Sequence, residues 1–387
     1  MTLIADTAAL AAFCDRQTDA AFVTVDTEFM RDRTYFPQLC LVQVAGPDEA
    51  AAIDPLAPGI SLEPLLKLMA NKNILKVFHA ARQDIEIFYN LTGEVPTPLT
   101  DTQVAAIVCG FGEAVSYEAL ASKLAGARID KSSRFTDWAH RPLTDRQLTY
   151  ALADVIPLRT VHEKLQARLE REGRASWVEE EMAELTDPAT YKQDPADAWM
   201  RFKTRSGNRR AFALLKELAA WRETMAQQRN LPRNRVIRDE SILEIASHAP
   251  KNIDDLARSR GLGKGYAESR AGAEILGIVE RVLAIPENDY PEPPARRDPP
   301  PGLGPLVDLM RVLLKMRCEE HGVAQKLVAS AEDLEMIASS DTAPVRALSG
   351  WRQELFGNAA LDLKHGRLAM TAAGKRIKLV LLDETQS

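Results

Sequence analysis

At 387 residues, 45% hydrophobic and 27% charged, the chain has a globular composition, and its length exceeds what one core usually holds, so two or three domains are expected. No apolar run approaches the roughly 18 residues that cross a bilayer, and "MTLIADTAALAAFCDRQ" lacks the basic start and small-residue cleavage site of a signal peptide. A cytoplasmic protein without a membrane partner is the expectation. Cys14, Cys40, Cys109 and Cys318 show neither CxxC spacing nor a paired framework, which argues against thiol zinc sites and structural disulfides. A net charge of −6 speaks against nucleic acid as a partner of the whole surface.

In chain order, "AFVTVDT", "QLCLVQVAG", "EAAAID" and "NILKVFHA" predict strands, and "LEPLLKLMANK", "ARQDIEIFYNLTG" and the segment after Leu143 predict helices. The first three strands follow one another through short connections, which suggests an antiparallel meander before helix and strand alternate. Residues 1–170 therefore read as an α/β domain, a mixed sheet flanked by helices. From about residue 200 the strand signals vanish. Between Arg201 and Arg238 eleven bases face only Glu217 and Glu223, a local charge of +9 that suits phosphates or is simply a solvated face.

A proline-rich string, "ENDYPEPPARRDPPPGLGP", predicts a semi-extended linker over 287–304. It separates two helical lobes. Shifting the sequence by 92 residues lays Ile242, Ile245 and Ala246 over Leu334, Ile337 and Ala338, which suggests a duplicated helical module. The expected division is 1–170, a connector over 171–207, a first module over 208–286, the linker, and a divergent second module over 305–387.

"FVTVDTEFM" ends an apolar run with Asp26 and Glu28, two positions apart and so on one face of a strand. Two like charges that close repel unless a cation lies between them. Asp84 sits near the first turn of the helix in "HAARQDIEIF", where the plain reading is an ordinary dipole-favoured acid. In "PLTDRQLTYALADV", Thr144 and Gln147 fit a capping box, and Tyr150 and Asp154 lie four apart on one helix face. Pro157 follows and should kink that helix at or after Asp154. Four carboxylates without histidine or cysteine make a hard-oxygen set, suited to Mg2+ or Mn2+ and to a pair of ions acting at phosphorus. Tyr150 is a poor base at neutral pH and is assigned to orienting water.

"DTEF", "HAARQDIEIF" and "YALADV" closely resemble the three motifs of the DEDD 3′-to-5′ exonucleases, with a tyrosine four residues before the last aspartate as in the DEDDy branch. "RTYFPQLCLVQ", "PLTDTQ" and "KSSRFTDWAHRPLTDRQLTYALADV" are similar to the ribonuclease D family. The doubled lobe resembles HRDC (helicase and RNase D C-terminal) domains. The resemblance implies a ribonuclease-H-like exonuclease fold followed by two small all-α HRDC-like domains. It also implies release of 5′ mononucleotides from RNA with a single-stranded 3′ end, precursor tRNA among them, by a protein expected to be monomeric. Carried over by position, Asp26, Glu28, Asp84 and Asp154 correspond to the metal ligands and Tyr150 to the water-positioning residue. Pro157 and the faint second module depart from the family pattern.

Other residues are candidates for touching RNA, each beside a plainer role. Phe29, Tyr35 and Phe36 could stack on a base or pack in a core. His79 could meet a phosphate or be satisfied at a strand end. Gln38 could contact the nucleotide or pair within its strand, and Trp138 and Arg141 could edge the substrate slot or anchor a loop. Arg209, Arg210, Arg233 and Arg235 represent the basic segment. Two readings compete with an RNA exonuclease: a DNA exonuclease on the same fold, and a tethering protein whose exonuclease domain is inert.

Overall fold

The computed structural model describes residues 2–112, 115–203, 208–293 and 301–382. A six-stranded sheet has the order β1-β4-β3-β2-β5-β6. Its strands are β1 (Thr2–Ile4), β2 (Phe22–Met30), β3 (Gln38–Ala45), β4 (Ala50–Ile53), β5 (Leu75–Phe78) and β6 (Leu99–Asp101). β3 and β4 run antiparallel, with Gln43 opposite Ala52. β1 pairs parallel with β4, β5 with β2, and β6 with β5. The sheet is therefore mixed. β3 is buried continuously from Leu39 to Ala45, as a central strand covered on both faces must be.

The helices of this region are α1 (Thr7–Arg16), α2 (Glu63–Ala70), α3 (Arg82–Thr92), α4 (Thr102–Val108), α5 (Tyr117–Leu120), α6 (Asp145–Glu172) and α7 (Ala175–Thr186). α6 begins as the sequence predicts, with the Thr144–Gln147 capping box complete. Its interior contains Pro157 without ending there. Proline supplies no N–H, so the carbonyl of Ala153 four residues earlier loses its helical donor. The hydroxyl of Tyr117 donates to that carbonyl at 3.1 Å. Two residues on, the Val155 carbonyl accepts from the buried Thr24 hydroxyl at 2.8 Å, which ties α6 to β2. The defect that proline creates is thus a docking point.

By internal packing the chain divides into one unit of residues 1–28, 40–190 and 297–387 and another of 29–39 and 191–296. The second unit holds α8 (Arg209–Arg229), α9 (Arg233–Val236), α10 (Asp239–His248), α11 (Ile253–Ala257), α12 (Lys264–Ala267) and α13 (Arg270–Leu283). Its core is built on Leu214, Leu218, Ile242, Ile245 and Ile275. In the first unit the chain ends with α14 (Gly304–His321), α15 (Gln325–Val328), α16 (Ala331–Ser339), α17 (Gly350–Arg352), α18 (Asn358–Lys364) and a hairpin, β7 (Leu368–Ala373) with β8 (Arg376–Leu381). The hairpin corrects the expectation that strands cease after residue 200; "LAMTAA" and "RIKLVL" were too short and too isolated to register. Residues 294–300 of the proline-rich string lie outside the described residues.

The 92-residue shift holds at the level of elements. α8 ends at Asn230 and α14 at Gly322, each in the left-handed conformation, and α9 maps onto α15 residue for residue. After α10 and α16 the copies part. The second copy is bound to α7 inside its own unit. Glu181, 8% exposed, pairs with Arg352, accepts from Arg346 at 2.9 Å and from the Trp351 indole at 3.2 Å. Trp177 stacks on Trp351 with centroids 4.3 Å apart. At Gly110 a Cβ would lie 2.1 Å from the Gly322 carbonyl oxygen, so only glycine permits that approach.

Replacing Tyr117 by Phe should leave the Ala153 carbonyl without a donor and lower unfolding stability by about 1–3 kcal/mol, the cost of one stranded buried acceptor. Denaturant melts of the two proteins measure this, and equal midpoints would mean that α6 tolerates Pro157 unaided.

Candidate active site

Three elements bring acids to one end of the sheet. Alternation along β2 turns Asp26 and Glu28 the same way, and α6 supplies Asp154. Carboxylate oxygens of these three lie within 4.8 Å of one another. The fourth acid, Asp84, arrives on the first turn of α3. The turn before α3 has Ala80 at φ 59°, a conformation held open by the Asp101 carboxylate. Asp101, 3% exposed, accepts the amides of Ala80, Ala81 and Gln103 at 2.9, 2.8 and 2.7 Å. One side chain thereby fixes where both α3 and α4 begin.

Asp84 is buried beside the group without joining its tightest part, because its carboxylate accepts the hydroxyl of the buried Thr27. The sequence expectation of four converging acids therefore becomes three in mutual reach and one adjacent. Among the described residues no lysine or arginine forms an ion pair with any of the four.

Burial and crowding show in the protonation of the set. Loss of water, then the charges of Asp84, Asp154 and Glu28, raise Asp26 well above the ordinary range. Glu28 is pushed to about 9 by desolvation and by Asp154 and Asp84. Desolvation lifts Asp84 to about 7, against the Thr27 hydroxyl that holds it down, and Asp154 to about 7, against Tyr150 and Arg134. Tyr150 is itself raised by desolvation and by Asp154, Glu28 and Asp26, so its hydroxyl keeps its proton. An all-oxygen donor set whose ionisation is opposed first by burial and then by its own crowded charges fits a hard divalent cation.

The remaining candidates separate into groups. The His79 ring nitrogen Nδ1 lies 2.9 Å from the Thr102 hydroxyl, its ring rests 5.3 Å from Tyr117, and burial lowers its pKa; these are the bonds of a satisfied strand-end histidine. Arg141 grips Asp54 with two bonds of 2.7 Å and also donates to the carbonyls of Cys40, Trp138 and His140, which makes it a loop anchor. Trp138 is 2% exposed, with its ring 5.9 Å from that of Tyr150.

In the second unit, Asn230 accepts the amides of Tyr35 and Phe36, and the Tyr35 hydroxyl meets Glu223 and Arg233. Arg233 is committed to Glu223, Arg209 to the carbonyls of Tyr290 and Asn288, and the buried Arg222 to Asp239. Arg210 and Arg235 are exposed, Phe29 is half-buried, and Gln38 is exposed at the start of β3. The +9 of the basic segment is thus partly internal to its own lobe. Arg205 lies outside the described residues. Sequence reasoning passed over Thr27 and Tyr117, which support the acids, and Arg134, whose charge acts on three site groups; a hydroxyl between two acids is a signal that could have found the first.

An acid-lined end of a mixed sheet, with a tyrosine one helical turn from its last aspartate, defines a 3′-5′ exonuclease, and residues 1–170 match the 3′-5′ exonuclease family while 211–279 match the HRDC domain family. The chain is 53% identical to ribonuclease D of Acidiphilium cryptum over 98% of its own length and 96% of the relative's. With ribonuclease D of a Jannaschia species it is 52% identical over 97% of its length and 98% of the relative's. The crystal structure of Escherichia coli RNase D superposes with a TM-score of 0.81 at 31% identity, covering 94% of this chain and 98% of that one. The chain belongs to the ribonuclease D family, and it is a hydrolytic 3′-5′ exoribonuclease, of a family that depends on divalent metal.

Raised carboxyl pKa values carry a definite sign. A carboxyl whose folded pKa exceeds its unfolded value near 4 favours the fold at low pH and ceases to do so as pH climbs through the folded pKa. The metal-free protein should therefore lose melting temperature between about pH 4 and 9, from the unfolded value up to the folded values near 7 and 9. Saturating Mg2+ should reverse the loss. Differential scanning calorimetry with chelator and with metal tests this, and a flat metal-free profile would refute the crowding.

Proposed function

We propose that this protein trims RNA from its 3′ end by releasing 5′ mononucleotides at the acid cluster, with Asp26, Glu28, Asp84 and Asp154 holding two ions of Mg2+ or Mn2+. The single observation that carries this reading is the meeting of the half-buried Asp26, Glu28 and Asp154 oxygens within 4.8 Å. When bound, such ions supply Lewis-acid activation of the attacking water and stabilisation of the departing oxygen.

The chain's own residues do the rest. Thr27 holds Asp84 by its hydroxyl and so fixes which oxygens remain free to coordinate. Tyr150, kept protonated by its acidic surroundings, orients the water as a hydrogen-bonding group and takes no proton from it. The Thr24 and Tyr117 bonds to α6 hold Asp154 and Tyr150 in register with β2, a placement on which an in-line displacement depends.

The substrates under this reading are precursor tRNAs and other stable RNAs with single-stranded 3′ ends. Escherichia coli RNase D is described as an exoribonuclease involved in structured RNA processing, which supports the same class here. The division into an exonuclease domain over 1–170, a connector to 207, an HRDC-like domain over 208–286, a linker to 304 and a divergent second HRDC-like domain belongs to this proposal. So do the roles of Phe29, Gln38 and the exposed Arg210 and Arg235 as RNA contacts, a monomeric state and a cytoplasmic location. Among the described residues no helix is long and apolar enough to cross a membrane.

Asp26→Asn should lower nucleotide release from a 3′-tailed RNA by on the order of a thousandfold, as loss of one member of a cooperating set does, while the melting temperature in chelator holds or rises. Undiminished release would remove Asp26 from the site. For the first lobe, Arg210→Gln and Arg235→Gln should each reduce the slope of log affinity against log salt for structured RNA by about one. Filter binding at several salt concentrations reads this, and an unchanged slope in both variants would make these arginines solvated surface.

A further inference from the structure

Between α5 and α6 the chain forms a short turn, Lys131–Ser133, and then returns to α6. Ser133 is buried, and its carbonyl accepts both the amide and the hydroxyl of Thr136 at 3.2 and 2.8 Å. The Gln147 amide donates to the Thr136 hydroxyl at 3.2 Å, and Trp138 rests against Tyr150. The loop is therefore pinned before and after positions 134 and 135 to the helix that carries Tyr150 and Asp154. What it projects at those positions is fixed by the pinning.

Phe135 is 90% exposed, more than any other large hydrophobic side chain among the described residues. Burying such a ring is worth about 1.5–3 kcal/mol, which this conformation forgoes. Beside it, the exposed Arg134 lies with its guanidinium 5.2 Å from the Phe135 ring. Arg134 forms no ion pair among the described residues, yet its charge acts on Glu28, Tyr150 and Asp154 together. A free cation and a free aromatic face thus stand side by side at the rim of an anionic site. Each nucleotide of an entering strand brings a phosphate and a flat base, which are the complements of these two groups.

We propose that Arg134 and Phe135 form a clasp on the RNA strand entering the site, Arg134 binding a backbone phosphate and Phe135 stacking on a base of the 3′-terminal dinucleotide. The clasp rests on the acid cluster being where cleavage occurs. Phe135 contributes to ground-state binding of the strand and takes no part in the chemistry, so it affects KM and leaves kcat, whereas the charge of Arg134 also acts on Glu28 and Asp154.

The test uses the full chain and a fluorescein-labelled pentaribonucleotide. With Mg2+, Phe135→Ala should raise KM roughly tenfold, from loss of one stacked base, with kcat within about twofold, and Phe135→Trp should restore wild-type KM. Arg134→Gln should raise KM and reduce the salt slope by about one, and both variants should melt as wild type does. Unchanged KM in both, or a fall in kcat alone, overturns the clasp. Fluorescence anisotropy of the same RNA in an Asp26→Asn background separates the clasp from the cleavage reading. Weaker binding on adding Phe135→Ala supports the clasp even if wild type releases no nucleotide, and equal binding sinks it whatever the cleavage result.

Discussion

The structure depends on a repulsion. Asp26, Glu28 and Asp154 place carboxylate oxygens within 4.8 Å of one another at half-buried positions, and at an effective dielectric near 20 two full charges at that separation repel by roughly 3–4 kcal/mol. Burial opposes ionisation of all four acids, and for Asp26 and Glu28 the charges of their neighbours add to it. Among the described residues no lysine or arginine pairs directly with these acids, and Arg134 acts on Glu28 and Asp154 only through its charge. A divalent ion is the kind of charge that such a group of oxygens is suited to hold.

Holding such a group together requires scaffolding that does not share its charge. The supports are neutral hydroxyls and backbone groups: Thr27 on Asp84, Thr24 on the Val155 carbonyl, Tyr117 on the Ala153 carbonyl. Pro157 fits this scheme. By withdrawing one N–H inside α6 it frees an acceptor beside Asp154, and Tyr117 uses that acceptor to tie the helix to the neighbouring segment. A helix-breaking residue thereby increases the number of links between α6 and the rest of the domain.

Much of this was legible in the chain. Period-two alternation was enough to put Asp26 and Glu28 on one face, and the Thr144–Gln147 spacing was enough to start α6 and to place Tyr150 under Asp154. The pairing of β5 with β2 and the partner of Asp84 were not legible, because both are fixed by contacts between residues more than 50 positions apart. β1 and β6, three residues each, carry too little pattern to be read. The internal pairing of the basic segment was not legible for a related reason. Charge counts register Arg209, Arg222 and Arg233 as surface cations, whereas each has a carbonyl or carboxylate partner within the same lobe.

The two helical modules show how one pattern can be spent in two ways. Over the 92-residue shift the long helix, its left-handed cap, the short turn and the following helix all recur, and the buried positions Ile242, Ile245 and Ala246 have buried counterparts in Leu334, Ile337 and Ala338. Core positions keep the module folded, and so they keep the repeat detectable. Beyond α16 the second copy turns Trp351, Arg346 and Arg352 onto Glu181 of α7, where desolvation makes the ion pair dependent on close geometry. A buried carboxylate that needs three donors from one partner ties that partner down. The 305–387 segment is thereby tied to α7 through one buried carboxylate.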